Sequence, residues 1–193
     1  ASGRQAVIQR ALRGGYPEAI LRSSATRRDD WFNSYVTTIL QRDVHELAAI
    51  QGLSDLPLLL ALLAARATAT LNTADLARSA RIAVTTLNRY LTLLQATFLL
   101  QPISAWSSNL SSRLVKSPKL LLNDSGILAT LTGMSEAQLE TSPTAAGMLI
   151  ENFVGMELMK LASWSQTRPQ LFYFRTHDGK EVDFLLQDRG GAV

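Results

Sequence analysis

The sequence predicts a mostly helical α+β fold, and three patterns along its 193 residues support this. Between Asn72 and Pro102 apolar residues recur at steps of three and four, which is typical of helices packed on one side. Between Ile103 and Asn123 two apolar clusters flank serine-rich turns, which favours a β-hairpin. Near the end, Asp178-Gly179 separates two alternating segments and indicates a second hairpin.

The first 70 residues are predicted to be helical. Gly14-Gly15 ends one helix, and Pro17 can begin the next segment. A long helix is predicted over residues 29–50, where aromatic and aliphatic side chains share a face, and His45 on it is predicted to be a surface residue. Residues 56–69 are apolar all round, so we expect a buried central helix there.

The segment Asn72 to Pro102 is predicted to be a helix-turn-helix. Asn72 or Thr73 can cap its first helix with a side-chain oxygen. Arg81 occupies the turn position where such motifs often place glycine, so a left-handed backbone there would be strained by ~1 kcal/mol or more. The second helix is expected to bury one face, which comprises Val84, Leu87, Leu91, Leu94 and Phe98.

The other face of that second helix carries short hydroxyls, an amide and an arginine, namely Thr85, Thr86, Asn88, Arg89 and Thr92. Such a face can enter a DNA major groove. In the following hairpin, Lys116 and Lys119 bracket Pro118, so both could point toward phosphates from an edge strand, close to Arg113. Together these elements predict a winged helix over residues 71–133. Two packed helices also occur in proteins that bind protein or nothing, and that alternative stays open.

The charge distribution agrees with a polyanion-binding surface. The net charge is +3, but residues 71–123 carry six basic side chains against one acidic, while residues 124–193 carry five basic and nine acidic. The basic excess therefore coincides with the predicted winged helix. The change of sign also favours a separate C-terminal module. We predict a helical region over 1–70, the winged helix over 71–133 and a helix with a hairpin over 145–193.

Composition excludes several classes of site and location. There is no cysteine, which excludes disulfides, thiolate zinc sites and cysteine nucleophiles. The N-terminus has no apolar core of a signal peptide, and the most apolar run, Leu56 to Ala69, is shorter than the ~20 residues that span a bilayer. We expect a soluble, cytoplasmic protein.

Five motifs follow one another in the order of a known family: RGGYPEAI, YVTTILQRDV, KSPKLLLNDSGI, LIENFVGMEL and FYFRTHDGKEVDFLL. Together they resemble the C-terminal region, of the domain of unknown function 4143 type, of prokaryotic AAA+ family ATPases, and the resemblance covers nearly the whole chain. It implies a preceding P-loop ATPase domain, whose lid would end in the first residues here, and a PD-(D/E)XK nuclease-like C-terminal end. No G-x-x-x-x-G-K-[ST] occurs in this chain, so ATP would require that preceding domain.

Three acids are candidate metal ligands. Glu151 lies in an otherwise apolar helical row, where a carboxylate is costly unless it is paired or binds a cation. Glu181 and Asp183 are two apart on a predicted strand and so share a face, with Val182, Phe184 and Leu186 on the other. Hard oxygen ligands of this kind suit Mg²⁺ or Mn²⁺. The resemblance assigns Asp183 to the second core strand and Glu151 to the helix of the nuclease core.

The nuclease motif is incomplete in this chain. The family pattern requires a third strand with an acid or glutamine, one further residue and a lysine, whereas Arg189 is the only cation after Lys180. We therefore expect no nuclease activity, at best millimolar divalent binding, and acids that pair with Arg175 or Lys180. Three functions remain: a nucleic-acid-binding accessory region of an ATPase, an incomplete metal-dependent nuclease, and a protein-interaction module.

Overall fold

The computed structural model of the chain describes residues 3–44, 55–176, 178–188 and 191–192. The chain begins with α1 (Gly3–Arg13) and the single turn α2 (Pro17–Ile20), followed by α3 (Ala25–Thr38) and a π-helical turn (Ile39–Asp43). The helix predicted from residue 29 starts earlier because the Ser24 side chain accepts a hydrogen bond from the Arg27 N–H. His45 and the predicted helical residues 45–50 lie outside the described residues.

The next helix, α4 (Leu56–Ala64), is central and buried as predicted, with Leu56, Leu59 and Leu60 fully buried. Its predicted extension to residue 69 is wrong. The chain leaves the helix in a series of turns, and Thr70 instead forms an isolated antiparallel bridge with Lys119. This extended residue brings the end of α4 against a strand that comes much later in the sequence.

The predicted helix-turn-helix segment forms two helices, α5 (Thr73–Ala80) and α6 (Val84–Ala96). The Asn72 side chain caps α5 by accepting from the Asp75 N–H at 3.0 Å. Arg81 adopts the left-handed backbone anticipated for the turn, with φ of 55°. The predicted buried face is wrong at both ends, because Val84 and Phe98 are 44% and 67% exposed and α6 stops before Phe98.

Two antiparallel strands follow, β1 (Leu100–Ala105) and β2 (Lys119–Leu122). They pair in the predicted region, but their connection is not a simple hairpin loop. It contains a short helix, α7 (Leu110–Val115), which the serine-rich sequence did not reveal.

In the described part of the chain after β2, three helices and three strands follow. The helices are α8 (Ser125–Thr132), α9 (Glu136–Thr141) and the 22-residue α10 (Pro143–Trp164). The strands are β3 (Gln170–Arg175), β4 (Glu181–Asp188) and β5 (Gly191–Ala192). The predicted second hairpin is thus confirmed as the antiparallel pair β3 and β4.

All the strands of the described residues join one sheet in the order β2-β1-β3-β4-β5. The pair β1 and β3 is parallel, and the other neighbours are antiparallel. Helix α10 contacts β2 and β3, and it approaches closely at Gly155, where an added Cβ would lie 2.5 Å from Leu121 and 2.8 Å from Phe184. The predicted mostly helical α+β class is confirmed.

Candidate functional site

Four charged side chains from three elements meet at the sheet beneath α10. Lys119 on β2 points its ammonium at Glu151 of α10, 2.7 Å from Oε1, and at Asp183 of β4, 3.2 Å from Oδ1. It also pairs with Glu181 of β4. We call Glu151, Glu181 and Asp183 the acid cluster. The structure thus brings together the three predicted metal candidates, and it adds a lysine in their midst.

The orientation predicted for Lys119 is corrected by this arrangement. We expected its side chain to point to phosphates, but the residue is only 2% exposed and its ammonium faces the acid cluster. The Tyr173 ring covers the ammonium at 5.5 Å, and the Tyr173 hydroxyl donates to the Ser117 carbonyl at 2.6 Å. The lysine is therefore held from several sides within the fold.

Asn152, next to Glu151, fixes the strand that carries the lysine. Its fully buried amide accepts from the Leu122 N–H at 2.8 Å and donates to the Leu122 carbonyl at 3.0 Å. One side chain thereby satisfies both backbone groups of that residue on the open edge of the sheet. Asn152 was not among the predicted site residues, although a polar residue beside Glu151 in a mostly apolar helix is a signal that the sequence contains.

A β-bulge explains how β4 presents both an acid and an aromatic ring toward α10. Phe172 pairs with Leu185 and Phe174 with Val182, so both Asp183 and Phe184 lie opposite Tyr173. The simple alternation that placed Phe184 on the face away from the acids is therefore wrong. Its ring packs in the small core cluster with Tyr173, while Asp183 reaches Lys119.

Burial and charge shift the pKa values within this site. Burial lowers the pKa of Lys119, but hydrogen bonds to Glu151 and Glu181 and the nearby negative charge outweigh it, so that pKa is raised. For Glu151 burial has the opposite effect and raises the pKa, and the hydrogen bond and charge of Lys119 only partly oppose this increase. The ammonium form of Lys119 is therefore the form that this site favours.

The cations that we expected to pair with the acids contribute little. Arg175 lies 3.9 Å from Glu181, at the limit of an ion pair, and Lys180 pairs with Asp178 at 3.7 Å instead. Lys119 takes their place. Lys119 lies 32 residues before Glu151, so no local pattern around the acids indicates it as their partner.

The arrangement does not fit a resident Mg²⁺ or Mn²⁺. Among the described ranges, no three acidic or histidine side chains are grouped so that they could hold a metal ion. The ammonium of Lys119 lies where a divalent cation would contact Glu151 and Asp183. We therefore derive no hydrolytic step from this site.

The predicted nucleic-acid contacts lie in two other places. On α6, Thr85 and Arg89 are exposed, and Thr86 is half-buried. Lys116, just after α7, is exposed, whereas Arg113 within α7 is half-buried. The structure leaves both groups outside the acid cluster.

The Arg113 guanidinium packs on aromatic rings and donates hydrogen bonds to neighbouring residues, and does not extend freely into solvent. It lies 5.5 Å from the centre of the Trp106 ring and 5.1 Å from that of Phe172. It donates to the Ser107 carbonyl, and to the Gln187 side chain at 2.8 Å. These contacts attach α7 to β3, to β4 and to the residues that follow β1.

A second buried charge, Asp124, connects two of the sequence motifs. Its carboxylate accepts from the N–H groups of Gly126 and Ile127, which caps α8, and from Gly15 N–H at 2.6 Å. Gly14 has φ of 71°, and an added Cβ there would lie 2.2 Å from Asp124 Oδ1. Gly14 is thus required by this contact, whereas a Cβ at Gly15 would come no nearer than 3.4 Å to Asp124; the sequence predicted the two glycines only as a helix end.

Comparisons with known proteins divide the chain at α9. The family described as domain of unknown function DUF8612 matches residues 4–138, and the domain of unknown function DUF4143 matches residues 146–193. The domain 4143 resemblance is therefore confirmed for the C-terminal segment, but not over nearly the whole chain. Lys119 belongs to the first matched region and the acid cluster to the second.

Two curated relatives are similar to this chain over most of its length. They are the uncharacterized proteins Mb2031c of Mycobacterium bovis and Rv2008c of Mycobacterium tuberculosis, each 32% identical over 180 residues. The match covers 93% of this chain but only 40% of each relative. No solved structure matches.

None of the helices in the described ranges combines the length and apolar character that crossing a membrane requires. The DUF8612 match extends over more than half of the chain, which therefore belongs to that family.

Proposed function

We propose that this chain is a nucleic-acid-binding accessory region of an AAA+-type ATPase and that it binds duplex DNA through a winged helix. The observation that carries the proposal is the arrangement of residues 56–122. Helix α4, the extended residue Thr70, helices α5 and α6 and the strands β1 and β2 follow in the order of a winged helix. Thr70 bridges to Lys119, and β2 pairs with β1, so three extended segments lie side by side.

The outer face of α6 has the chemistry of a recognition helix. Thr85, Asn88, Arg89 and Thr92 are exposed and follow one another at steps of three, one and three, which places them on one side of the helix. The helix VTTLNRYLTLLQA contains no acidic residue that would repel phosphate. Hydroxyl, amide and guanidinium groups are those that proteins use on base edges and phosphates.

The connection between β1 and β2 would supply the phosphate contact of a wing. Lys116 is exposed there and is the residue we assign to this contact. Lys119 leaves the predicted contact set because its ammonium is engaged by the acid cluster. We assign Arg113 only a supporting role, because its guanidinium holds α7 against the sheet.

The test is duplex binding by fluorescence anisotropy over a range of salt concentrations. Each neutralised phosphate contributes about −0.9 to the slope of log affinity against log salt. We expect weak, salt-sensitive binding, and we expect the double variant Arg89→Glu, Lys116→Glu to reduce it by at least about tenfold at low salt. The matched control is Arg27→Glu, Lys180→Glu, which makes the same change in net charge on α3 and in the β3–β4 turn.

Equal loss in both double variants would show only an effect of net charge and would contradict the proposal. No binding at low salt would also contradict it and would favour the protein-interaction module. The ATPase part is supported by the domain 4143 match, and about 60% of each curated relative lies outside the matched segment, since 40% is covered. Nucleotide binding by the full-length Mycobacterium tuberculosis relative tests it separately.

A further inference from the structure

We infer that Lys119 is the resident cation of the acid cluster. Its ammonium lies between the carboxylate oxygens of the three acids, and the cluster binds no divalent cation while Lys119 is present. This inference is separate from the proposed DNA binding, because it concerns the Lys119 side chain and the acids of α10 and β4, and neither the exposed face of α6 nor Lys116. It assigns a charge-balancing role to a lysine that the nuclease-like pattern does not include.

A divalent ion and the Lys119 ammonium would compete for the same space. An ammonium has three N–H donors, and Lys119 contacts one oxygen of each of the three acids. A Mg²⁺ ion would need oxygens at about 2.0–2.1 Å in octahedral geometry. With Nζ already 2.7 Å from the Glu151 oxygen and 3.2 Å from the Asp183 oxygen, the ion and the ammonium cannot occupy the site together.

The Lys119 side chain is enclosed by the protein and cannot readily turn away from the acids. The residue is 2% exposed, the Tyr173 ring lies over the ammonium, and β2 is fixed three residues later by the bonds between Asn152 and Leu122. A tethered cation also loses less freedom on pairing than a free ion. A metal would therefore have to displace a preorganised partner.

The charges of the acids are already largely compensated by cations of the protein. Three carboxylates face Lys119, and Arg175 lies 3.9 Å from Glu181, so the two cations leave one negative charge uncompensated. The Asp183 side chain is 57% exposed, and water can solvate that remaining charge. The cluster therefore needs no further cation for balance.

The experiment measures Mn²⁺ binding by the loss of the free-ion signal in electron paramagnetic resonance. It compares the unchanged chain with Lys119→Met, with Lys119→Met combined with Asp183→Asn, and with the control Lys116→Met, which removes an exposed lysine three residues earlier. We expect no binding below about 1 mM in the unchanged chain and in the control. We expect at least tenfold tighter binding in Lys119→Met and its loss in the combined variant.

Two results would overturn the inference: sub-millimolar Mn²⁺ binding by the unchanged chain, or a folded Lys119→Met variant that binds no better than the control. If Lys119→Met does not fold, the unchanged chain still decides the question. Mn²⁺ broadens nuclear magnetic resonance signals close to it. Unaffected signals of the Glu151 and Asp183 side chains at about 1 mM Mn²⁺ support a resident ammonium. Selective broadening of those signals refutes it.

Discussion

Among the residues that the structure describes, the two buried charges, Lys119 and Asp124, are five residues apart and are stabilised by opposite means. Lys119 is surrounded by carboxylates from α10 and β4, whereas Asp124 is surrounded by backbone N–H groups of Gly15, Gly126 and Ile127. Burial raises the pKa of Asp124, and these three N–H groups together with the charge of Lys160 only partly oppose that.

The difference shows which kind of buried charge a sequence reveals. Two of the three Asp124 partners follow it directly in the chain, so the N-cap of α8 is a local feature. The three acids that pair with Lys119 lie at least 32 residues away and meet it only when the sheet forms. Asp124 therefore caps a helix, whereas Lys119 joins the two family-matched regions of the chain.

The largest expected effect is that of removing Lys119. Loss of Lys119 leaves the three acids without their shared cation. Lys119→Met should therefore reduce the free energy of unfolding by about 3 kcal/mol, the low end for buried pairs because these acids are partly exposed. Urea unfolding followed by circular dichroism measures it. The control Lys116→Met should change stability by less than about 0.5 kcal/mol.

The pH dependence of that difference follows from the raised pKa of Lys119. A raised lysine pKa means that the contribution is fully present below its ordinary value of 10.5 and is lost as pH rises through the folded-state pKa. The destabilisation by Lys119→Met should thus be equal at pH 7 and pH 9. A marked decrease by pH 9 would mean that the ammonium is not the form that stabilises the site.

The next largest effect is expected from Asn152→Leu. It leaves the buried N–H and carbonyl of Leu122 without partners, which should cost about 2–3 kcal/mol in unfolding free energy. Because Asn152 fixes the strand that carries Lys119, the combined variant with Lys119→Met should lose less than the two single losses added. Strict additivity would show that Asn152 does not position the lysine.

Asp124→Ala tests the other buried charge and should cost about 2 kcal/mol, since it removes a helix cap and one long-range acceptor. Asp124→Asn keeps one oxygen for the cap and should cost less. Gly14→Ala should also destabilise, because its Cβ would meet the Asp124 carboxylate in a left-handed backbone. Thermal unfolding of the three variants gives the order, and equal losses for alanine and asparagine at Asp124 would refute the role of the cap.

The same contrast explains how much of the molecule could be predicted. Helix spacing, the Asn72 cap and the Asp178-Gly179 turn are local, and they gave the correct elements. The direction of Lys119 was not predictable because all four residues of β2 are buried. A strand covered on both faces has no alternation that distinguishes its two sides.

The bulge in β4 and the insertion of α7 were missed for a related reason. The bulge places Asp183 and Phe184 together opposite Tyr173, and it depends on pairing with β3 rather than on the alternating residues of β4. Helix α7 is held by the contacts of Arg113 with Trp106, which follows β1, and with β3 and β4, and these contacts appear only once the sheet exists. Candidate site residues could be named from sequence, but their assembly required the tertiary pairing.

The smallest expected effect, and the only favourable one, concerns Arg81 in the turn between α5 and α6. Its φ of 55° is a left-handed backbone that costs a residue with a Cβ about 1–2 kcal/mol, and glycine avoids that strain. Glycine also gives the unfolded chain more freedom, so Arg81→Gly should stabilise by only about 0.5–1 kcal/mol. Arg81→Ala is the control, because it removes the same exposed guanidinium but keeps the Cβ, and it should not stabilise. If both variants gain equally, relief of charge repulsion within the basic segment, rather than backbone strain, determines the stability of this turn.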